Sequence, residues 1–561
     1  MKLNRRQKGI LGIIFIIALI TISWIGLSKL YPESNSLRYL PDRIYRIIKI
    51  AFGSDPSATS LEDVNIPWEL ILAKIFTIFI LLFGAFKIIQ KVFSEQYTLL
   101  LASFKQNHLI SVGLSKKGRQ IVQSLKNDYN RKGVVIEKES EPADSLAIKK
   151  EGHLLITGNA EEESTLIEAG IKRAADLIVF LDNEQSVIEI VESVQQIYKK
   201  SQCENKLRCY VHLRNPRLIE LVRNADLNFA NNSVELHFFN IHKMVARQFF
   251  SQLLIDLERS NKPQLEKVVF IGFGNFAKAI LLQALRMLHV HPEREPTIVI
   301  YTDAATKEQA LFQERYPMAH KIGNISFHEF NGSFQALLQQ EELTNTAQQT
   351  IVINAFDDDE TNLNNALELL QQSRQLDFPI YTLNAEGKGL RALMESSTEN
   401  QRIHFFGGIE ETCSIEFITG EKQDRMAQAI HDDYQKLISG EASESKRYTS
   451  DWHTLSEDAK DANRTQADHI SFKLLLSGKS LNPLSNTDLH FSKEEIESLA
   501  IIEHKRWMAH RYLYGWDFAP VRNDELKLHP SLVPWDQISE AEKQKDRDTI
   551  LRIPKLLEDV R

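Results

Sequence analysis

Two glycine-containing turns in this chain have the residue types and spacing to bind a phosphate. Each turn lies between a short apolar strand and an amphipathic helix, in HLISVGLSKKGRQ and in VVFIGFGNFAKA. Such a turn directs backbone N–H groups and the positive end of the helix toward an anion. The positions concerned are Gly113, Ser115 and Gly118 in the first turn, and Gly272, Gly274 and Ala277 in the second. Both turns therefore predict a phosphate-bearing cofactor, NAD or another nucleotide.

A carboxylate at the end of the second strand binds the ribose hydroxyls in dinucleotide-binding folds. Glu137 ends the strand GVVIE, and Asp303 ends TIVIYTD. Ser115 adds a Cβ where the first backbone must approach a pyrophosphate, whereas the second turn has the better GxGxxA pattern. We therefore expect the second unit, if either, to hold the nucleotide. The alternatives are a fold kept only for assembly and, for the acidic trio 357–359, a solvated loop.

Strands alternate with helices from about residue 107 to 420, which predicts two parallel sheets covered by helices on both faces. Over Asn107 to Phe239, the order of the glycine turn, the acid, ITGNA and LIEAGIKRAADLIVFLDN resembles an RCK domain, the cytoplasmic gating module of many potassium channels and transporters. The resemblance implies a nucleotide surrounded by Gly113, Ser115, Gly118, Glu137 and Gly158. Ser115 for glycine and Asn159 for aspartate depart from the family pattern.

The tail contains a predicted helix from a capping box at Ser492 to a glycine cap at Gly515. Glu503, Trp507 and Arg511 lie on one face of it, either as a ligand site or as a structural ion pair beside a packed tryptophan. The segment EHKRWMAHRYLYGWDFAPVRNDELKLHPSLVPW resembles a RyR domain, the repeat module of ryanodine receptors. The resemblance implies a small-ligand sensor. The predicted ligand-binding residues are Glu503, Trp507, Arg511, Trp516, Arg522, Lys527, His529 and Trp535.

Two apolar runs near the beginning predict two membrane-spanning helices. Gly9–Ser28 has no charged residue, and Trp68–Phe86 has two, Glu69 and Lys74. Lys74 either extends to the interface or faces a water-filled path. Basic residues before the first run and after the second place both termini in the cytoplasm. Between the runs, LRYLPDRIYRIIKIAF fits an interfacial helix or a re-entrant pore helix, and no TVGYG-like filter is present.

The composition excludes several classes of protein. A net charge of −8 over 561 residues argues against a nucleic-acid binder. The three cysteines form no CxxC pair, so the sequence supports neither a disulfide framework nor a metal site. No nucleophile is paired with a base, and no dehydrogenase-like His/Lys set occurs, so we expect no enzymatic activity.

The predicted fold is two transmembrane α-helices, two tandem α/β Rossmann-like (RCK-type) domains and a mostly α-helical RyR domain. The predicted function is a ligand-gated, ion-channel-like protein of the inner (plasma) membrane, in contact with lipid and assembled as a homotetramer. The alternative is a membrane-tethered nucleotide sensor that conducts nothing. Resemblance to bacterial proteins of this layout also suggests a defence effector that permeabilises the membrane. The predicted segments are 1–8 (cytoplasmic N-terminus), 9–29 and 67–92 (transmembrane helices), 30–66 (extracytoplasmic loop), 107–250 and 265–420 (Rossmann-like domains), 421–450 (helix and linker) and 451–561 (RyR domain).

Overall fold

The structure, a computed structural model, forms two compact units, Met1–Leu101 and Ala102–Arg561. It describes residues 5–31, 40–51, 67–92, 94–129, 133–139, 141–201, 205–215, 218–219, 221–222, 233–260, 265, 267–339, 350–373, 378–384, 391, 402–438, 451–452, 455–482 and 489–560. Much of the predicted loop 30–66 and the predicted linker after residue 438 lie outside these ranges.

The first unit is helical. Its helices are α1 (Arg5–Leu30), α2 (Leu40–Ala51) and α3 (Trp68–Val92), and α4 (Ser94–Ser103) follows in the chain. Leu27 of α1 packs against Leu70 and Ala73 of α3, and Lys29 forms an ion pair with Glu69. Trp68–Phe86 is long and apolar enough to cross a membrane, whereas the part of α1 whose side chains are described gives a shorter apolar stretch, Ile17–Leu30. The helix predicted between the two spans is present as α2.

The larger compact unit, Ala102–Arg561, begins with a six-stranded parallel sheet. Its strand order is β3-β2-β1-β4-β5-β6. All strands are parallel, and the point between β1 and β4 is where successive strands begin to be added on the other side of β1. This is the order of a doubly wound Rossmann fold, and ligands bind at the carboxyl ends of its strands. The strands are β1 (Leu109–Val112), β2 (Val134–Glu137), β3 (Leu154–Thr157), β4 (Asp176–Val179), β5 (Leu207–His212) and β6 (Val234–Phe239). The helices are α5 (Lys116–Tyr129), α6 (Pro142–Glu151), α7 (Glu163–Glu168) and α8 (Glu184–Lys200).

A long helix, α9 (Ile241–Ser260), leads to a second sheet with the same topology, β12-β11-β10-β7-β8-β9, again all parallel. Both sheets lie within Ala102–Arg561. From here on, unit one means the first sheet with its helices, and unit two means the second sheet with its helices. The strands of unit two are β7 (Lys267–Ile271), β8 (Thr297–Thr302), β9 (Asn324–Glu329), β10 (Thr350–Asn354), β11 (Ile380–Leu383) and β12 (Ile403–Phe406). The helices are α10 (Asn275–Met287), α11 (Ala305–Arg315), α12 (Phe334–Leu338), α13 (Asp359–Gln372), α14 (Ile409–Thr412) and α15 (Ile415–Thr419).

The tail is mainly helical. Its elements are α16 (Glu421–Ile438), α17 (Glu457–Leu476), α18 (Lys493–Leu513), β13 (Asp517–Phe518), β14 (Leu528–His529) and α19 (Glu540–Asp559). The capping box is present: Ser492 Oγ accepts from the Glu495 N–H at 3.2 Å, and the Ser492 N–H donates to Glu495 Oε2 at 2.7 Å. The two parallel sheets and the helical tail confirm those parts of the predicted fold.

One apolar core runs from unit one through α9 and unit two into the tail. Phe250 of α9, Phe270 of β7 and Trp516 of the tail belong to the same buried cluster. Polar contacts cross the boundary between unit two and the tail, among them Lys321 Nζ to Asp517 Oδ1 at 2.7 Å. Because dense packing transmits displacement, a change in one part of this core affects the others.

Candidate functional site: a cavity shared by both Rossmann units and the tail

The glycine turn of unit one is closed by an acid from the neighbouring strand. Gly113 has φ +99°, a conformation that favours glycine, and the Leu114 N–H donates to the Glu137 carboxylate. Ser115 Oγ accepts from the Gly118 N–H at 3.4 Å and so caps α5. A Cβ on Gly118 would overlap the carbonyl oxygen of Gly113. The Gly158 N–H donates to the Glu137 carbonyl at 3.0 Å, so all five predicted residues lie together.

The turn of unit two is closed by a different acid. The Asn275 N–H donates to Asp357 Oδ1 at 2.8 Å, and Asn275 Nδ2 donates to Asp357 Oδ2 at 3.1 Å. A Cβ on Gly274 would lie 2.5 Å from Asp357 Oδ1. A carboxylate thus occupies the positive end of α10, where the sequence predicted a pyrophosphate.

The other predicted residues of unit two lie around the same turn. Gly272 has φ +84°, and a Cβ there would overlap the ring of Phe356. Ala277 is fully buried, and Asp303 is exposed at the end of β8. A phosphate over this turn would have to displace Asp357, and its binding stays a prediction.

In the tail, Glu503 has the contacts of a structural ion pair. Its carboxylate lies 2.6 Å from Lys473 Nζ and 2.7 Å from an Arg506 Nη, and all three side chains are buried. Burial by itself would raise the pKa of Glu503, but Arg506 and Lys473 outweigh it and lower this pKa. Glu503 is therefore held in the domain interior, and its partners are Lys473 and Arg506 rather than Arg511, which lies on its own helix face.

Four of the predicted tail residues do come together. The Arg511 guanidinium lies 4.5 Å from the ring centroid of Trp516 and 5.7 Å from that of Trp507. The His529 ring lies 5.0 Å from Trp507. Burial, together with Arg511 and Arg522, lowers the pKa of His529 to about 4, so this ring is neutral at physiological pH.

The remaining predicted residues lie at the rim of this cluster or away from it. Arg522 pairs with Asp524 at 2.7 Å, and Lys527 donates to the Tyr514 carbonyl at 3.0 Å; both side chains are exposed. Trp535 packs near the cations of Lys543 and Arg547 instead. The tail cluster thus contains its own cation stacked between two indoles.

A cavity of about 800 Å³ lies between the two units and the tail, and sequence reasoning missed it. Its wall includes Arg214 and Asn240, which follow β5 and β6, and Phe273, which follows β7. The carboxyl ends of both sheets therefore open into one space. The rule that ligands bind at these strand ends could have indicated the loops, but not that the two sets of loops face each other.

One wall of the cavity is a buried ion-pair network. Arg247 of α9 lies 2.7 Å from Asp424 of α16 and 2.8 Å from Asp468 of α17. Arg464 also binds Asp424, at 2.6 Å. Burial would raise the pKa of Asp424, but Arg464 and Arg247 outweigh it and lower this pKa to about 2.

The network continues into the RyR-like helix. Lys243 Nζ lies 2.6 Å from Asp461 Oδ2, and the Tyr514 hydroxyl, just after α18, donates to the same oxygen at 2.5 Å. An apolar part of the wall is formed by Phe312 and Tyr316, which lie beside the charged Glu308 and Arg315. The cavity can therefore hold a ligand that has both a charged group and a flat apolar group.

Comparison with known proteins agrees with the two modules. Residues 109–232 match the TrkA-N domain, and residues 484–560 match the RyR domain. Among solved structures, "GsuK bound to ADP" is 14% identical with a TM-score of 0.41, over 73% of this chain and 96% of that one. "GsuK channel bound to NAD" is 11% identical with a TM-score of 0.41, over 75% of this chain and 84% of that one. A search of curated proteins found no match. The chain therefore carries two known domains. One is a TrkA-N domain, which is a Rossmann domain of the RCK type, and the other is a RyR domain.

Proposed function

We propose that this protein is a membrane-anchored, ligand-gated, channel-like sensor whose ligand is a nucleotide-type molecule. The observation that carries the proposal is the cavity of about 800 Å³, whose wall is shared by unit one, unit two and the tail. Its volume falls within the range of about 300–1,000 Å³ that small-molecule sites occupy. A ligand in this space contacts all three parts at once.

The shared wall provides a physical route for regulation. A ligand shifts a conformational equilibrium only by its difference in affinity between the two states. Residues from α9, α17 and the end of α18 meet at Asp461, so a ligand that changes their spacing changes how the tail packs on the Rossmann units. The glycine turn of unit two is part of this route, because Phe273 and Asn275 line the cavity and the Phe276 ring lies 4.6 Å from that of His242 on α9.

The proposed output is in the membrane. Trp68–Phe86 supports one membrane-spanning helix, and α4 connects α3 along the chain to β1 of unit one. The proposal includes a second span in α1, both termini in the cytoplasm and assembly of four chains around a pore. Participation in defence stays a prediction that rests only on resemblance.

The second candidate is a membrane-tethered sensor without conductance. The sequence between the two predicted spans contains no TVGYG-like filter, which favours this candidate over a potassium-selective pore. The two functions share the ligand site and differ only in what the membrane helices do.

Planar-bilayer recording of the purified full-length protein tests the proposal. ADP or NAD added to one side should change the open probability. Ala279→Trp fills the cavity and should abolish this response, while Lys307→Trp, exposed and outside the cavity, should keep it. Calorimetric binding without any current would favour the non-conducting sensor, and an unchanged response of Ala279→Trp would contradict the cavity as the ligand site.

A further inference from the structure

Arg286 of α10 lines the cavity and is buried. Arg286 is 8% exposed to solvent. Its Nη1 donates a long hydrogen bond of 3.4 Å to the Leu282 carbonyl. Its Nε is buried and has no acceptor. A guanidinium has five N–H donors, so most of its hydrogen-bonding capacity is unused among the described residues.

The nearby carboxylates are already engaged by other cations. Asp461 accepts from Lys243 at 2.6 Å and from Arg464 at 3.1 Å. Asp468 pairs with Arg247 at 2.8 Å and accepts from Gln283 at 3.0 Å. Among the described residues, no ion pair within 4.0 Å includes Arg286, and its charge acts on Asp461 only from a longer distance, where it helps to lower the pKa of that carboxyl group. A buried cation without a close partner is strongly unfavourable unless something else supplies the negative charge.

We infer that Arg286 binds the phosphate of a nucleoside phosphate, with the base against the apolar wall formed by Phe312 and Tyr316. This inference rests on the proposed function in taking the cavity as the ligand site. The planar fork of arginine matches two phosphate oxygens, and such charge-assisted hydrogen bonds are strong in a partly dry cavity. The site is separate from the glycine turn of unit one, because the cavity wall contains none of Gly113–Gly118, whereas Phe273 and Asn275 of the second turn do line the cavity.

A structural role for Arg286 makes a different prediction. The network contains four acids, Asp424, Glu457, Asp461 and Asp468, and four cations, Lys243, Arg247, Lys460 and Arg464. If Arg286 only stabilises the Asp461 carboxylate at longer range, its neutralisation lowers stability in the absence of any ligand. If Arg286 is an anion site, neutralisation leaves ligand-free stability unchanged or raises it, because an uncompensated buried charge is removed.

Calorimetry and thermal melting of the full-length protein in detergent separate these roles. The probes are ADP and adenosine, and the variants are Arg286→Gln, Arg286→Lys and the control Arg259→Gln, a surface residue of α9. We expect Arg286→Gln to weaken ADP binding about ten- to a hundredfold, the value of one charge-assisted contact, and to leave adenosine binding unchanged. The affinity of Arg286→Lys for ADP should lie between those of Arg286→Gln and the wild type. The affinity of Arg259→Gln should equal that of the wild type.

Three results would overturn the inference: wild type that binds ADP no better than adenosine or not at all, Arg286→Lys and Arg286→Gln with wild-type ADP affinity, or an Arg286→Gln variant that melts lower without ligand and keeps its affinity for ADP. Binding that depends on Arg286 but produces no change in current would leave this inference intact and refute the gating role instead.

Discussion

Units one and two have the same strand order but close their glycine turns with acids from different strands. In unit one, Glu137 at the end of β2 accepts from the Leu114 N–H. In unit two, Asp357, just after β10, accepts from the Asn275 N–H at the start of α10. The residue of unit one that corresponds to Asp357 is Asp182, which likewise precedes a helix N-cap and is exposed.

The difference shows that a better glycine pattern is not a more available anion site. The α5 N-terminus is capped by Ser115 and carries Lys116 and Lys117 in its first turn. The α10 N-terminus has the better GxGxxA turn, but the Asp357 carboxylate neutralises its partial positive charge. The unit that the sequence favours for a nucleotide is thus the one whose phosphate position is filled.

The largest expected effect distinguishes the third position of the two turns. Gly118→Ala should lower the free energy of unfolding by about 1–3 kcal/mol or more, because its Cβ overlaps the Gly113 carbonyl. Ala277→Gly should cost only about 1 kcal/mol, from backbone entropy in the helix. Denaturant titration measures both. Equal losses would contradict the close contact in unit one.

Buried histidines give the next largest effect, on acid stability. Burial first, then His242 and the cations Lys117 and Arg214, lower the pKa of His212 in unit one to about 3. Burial lowers that of His289 in unit two to about 4. Because the unfolded chain binds the proton first, this stability is complete above about pH 6.5 and is lost as the pH falls toward the folded pKa.

At pH 5 each of these histidines should lower the free energy of unfolding by about 2 kcal/mol relative to its value at neutral pH. His212→Phe and His289→Leu should each remove about that much of the acid sensitivity in urea titrations at pH 7 and 5. Below pH 4 only the effect of His212 should still grow. An unchanged pH dependence in His212→Phe would show that this ring is not held neutral.

A smaller effect concerns the acid on α10. Asp357→Ala removes the carboxylate from the helix N-terminus and should destabilise the protein by about 0.5–2 kcal/mol, the usual range for a helix cap. Asp357→Asn keeps an acceptor oxygen and should cost less. Thermal melting of both variants measures this order, and the reverse order would mean that the contact with Asn275 is not what stabilises the turn.

The smallest effects concern the acids at the ends of the second strands. Asp303 is exposed, so Asp303→Asn should change stability by less than about 0.5 kcal/mol. Glu137→Gln weakens a hydrogen bond to a backbone N–H and should cost about 1 kcal/mol. Equal losses of stability in Asp303→Asn and Glu137→Gln would show that the Glu137 contact with the Leu114 N–H contributes nothing beyond what the exposed Asp303 does.

The sheets were predictable because their strands are apolar and short and lead directly into glycine turns, as LISV and VVFI do. The sequence offered a structural ion pair for Glu503 only as an alternative and did not identify Lys473, because this partner lies on another helix. The cavity could not be predicted: Asn240, Phe273 and Asp461 come together only through the packing of α9, unit two and α17. The contact of Asp357 with Asn275 likewise depends on the pairing of β10 with β7.

The most direct test of the central claim is to locate the bound nucleotide by photolabelling. The full-length protein is irradiated with an ADP analogue that carries an azide on its base, with and without excess ADP, and the labelled peptide is identified by mass spectrometry. We predict a label, removed by ADP, on the apolar wall around Phe312 and Tyr316. A label that ADP removes from Gly113–Gly118 instead, or no such label, would contradict the cavity as the ligand site.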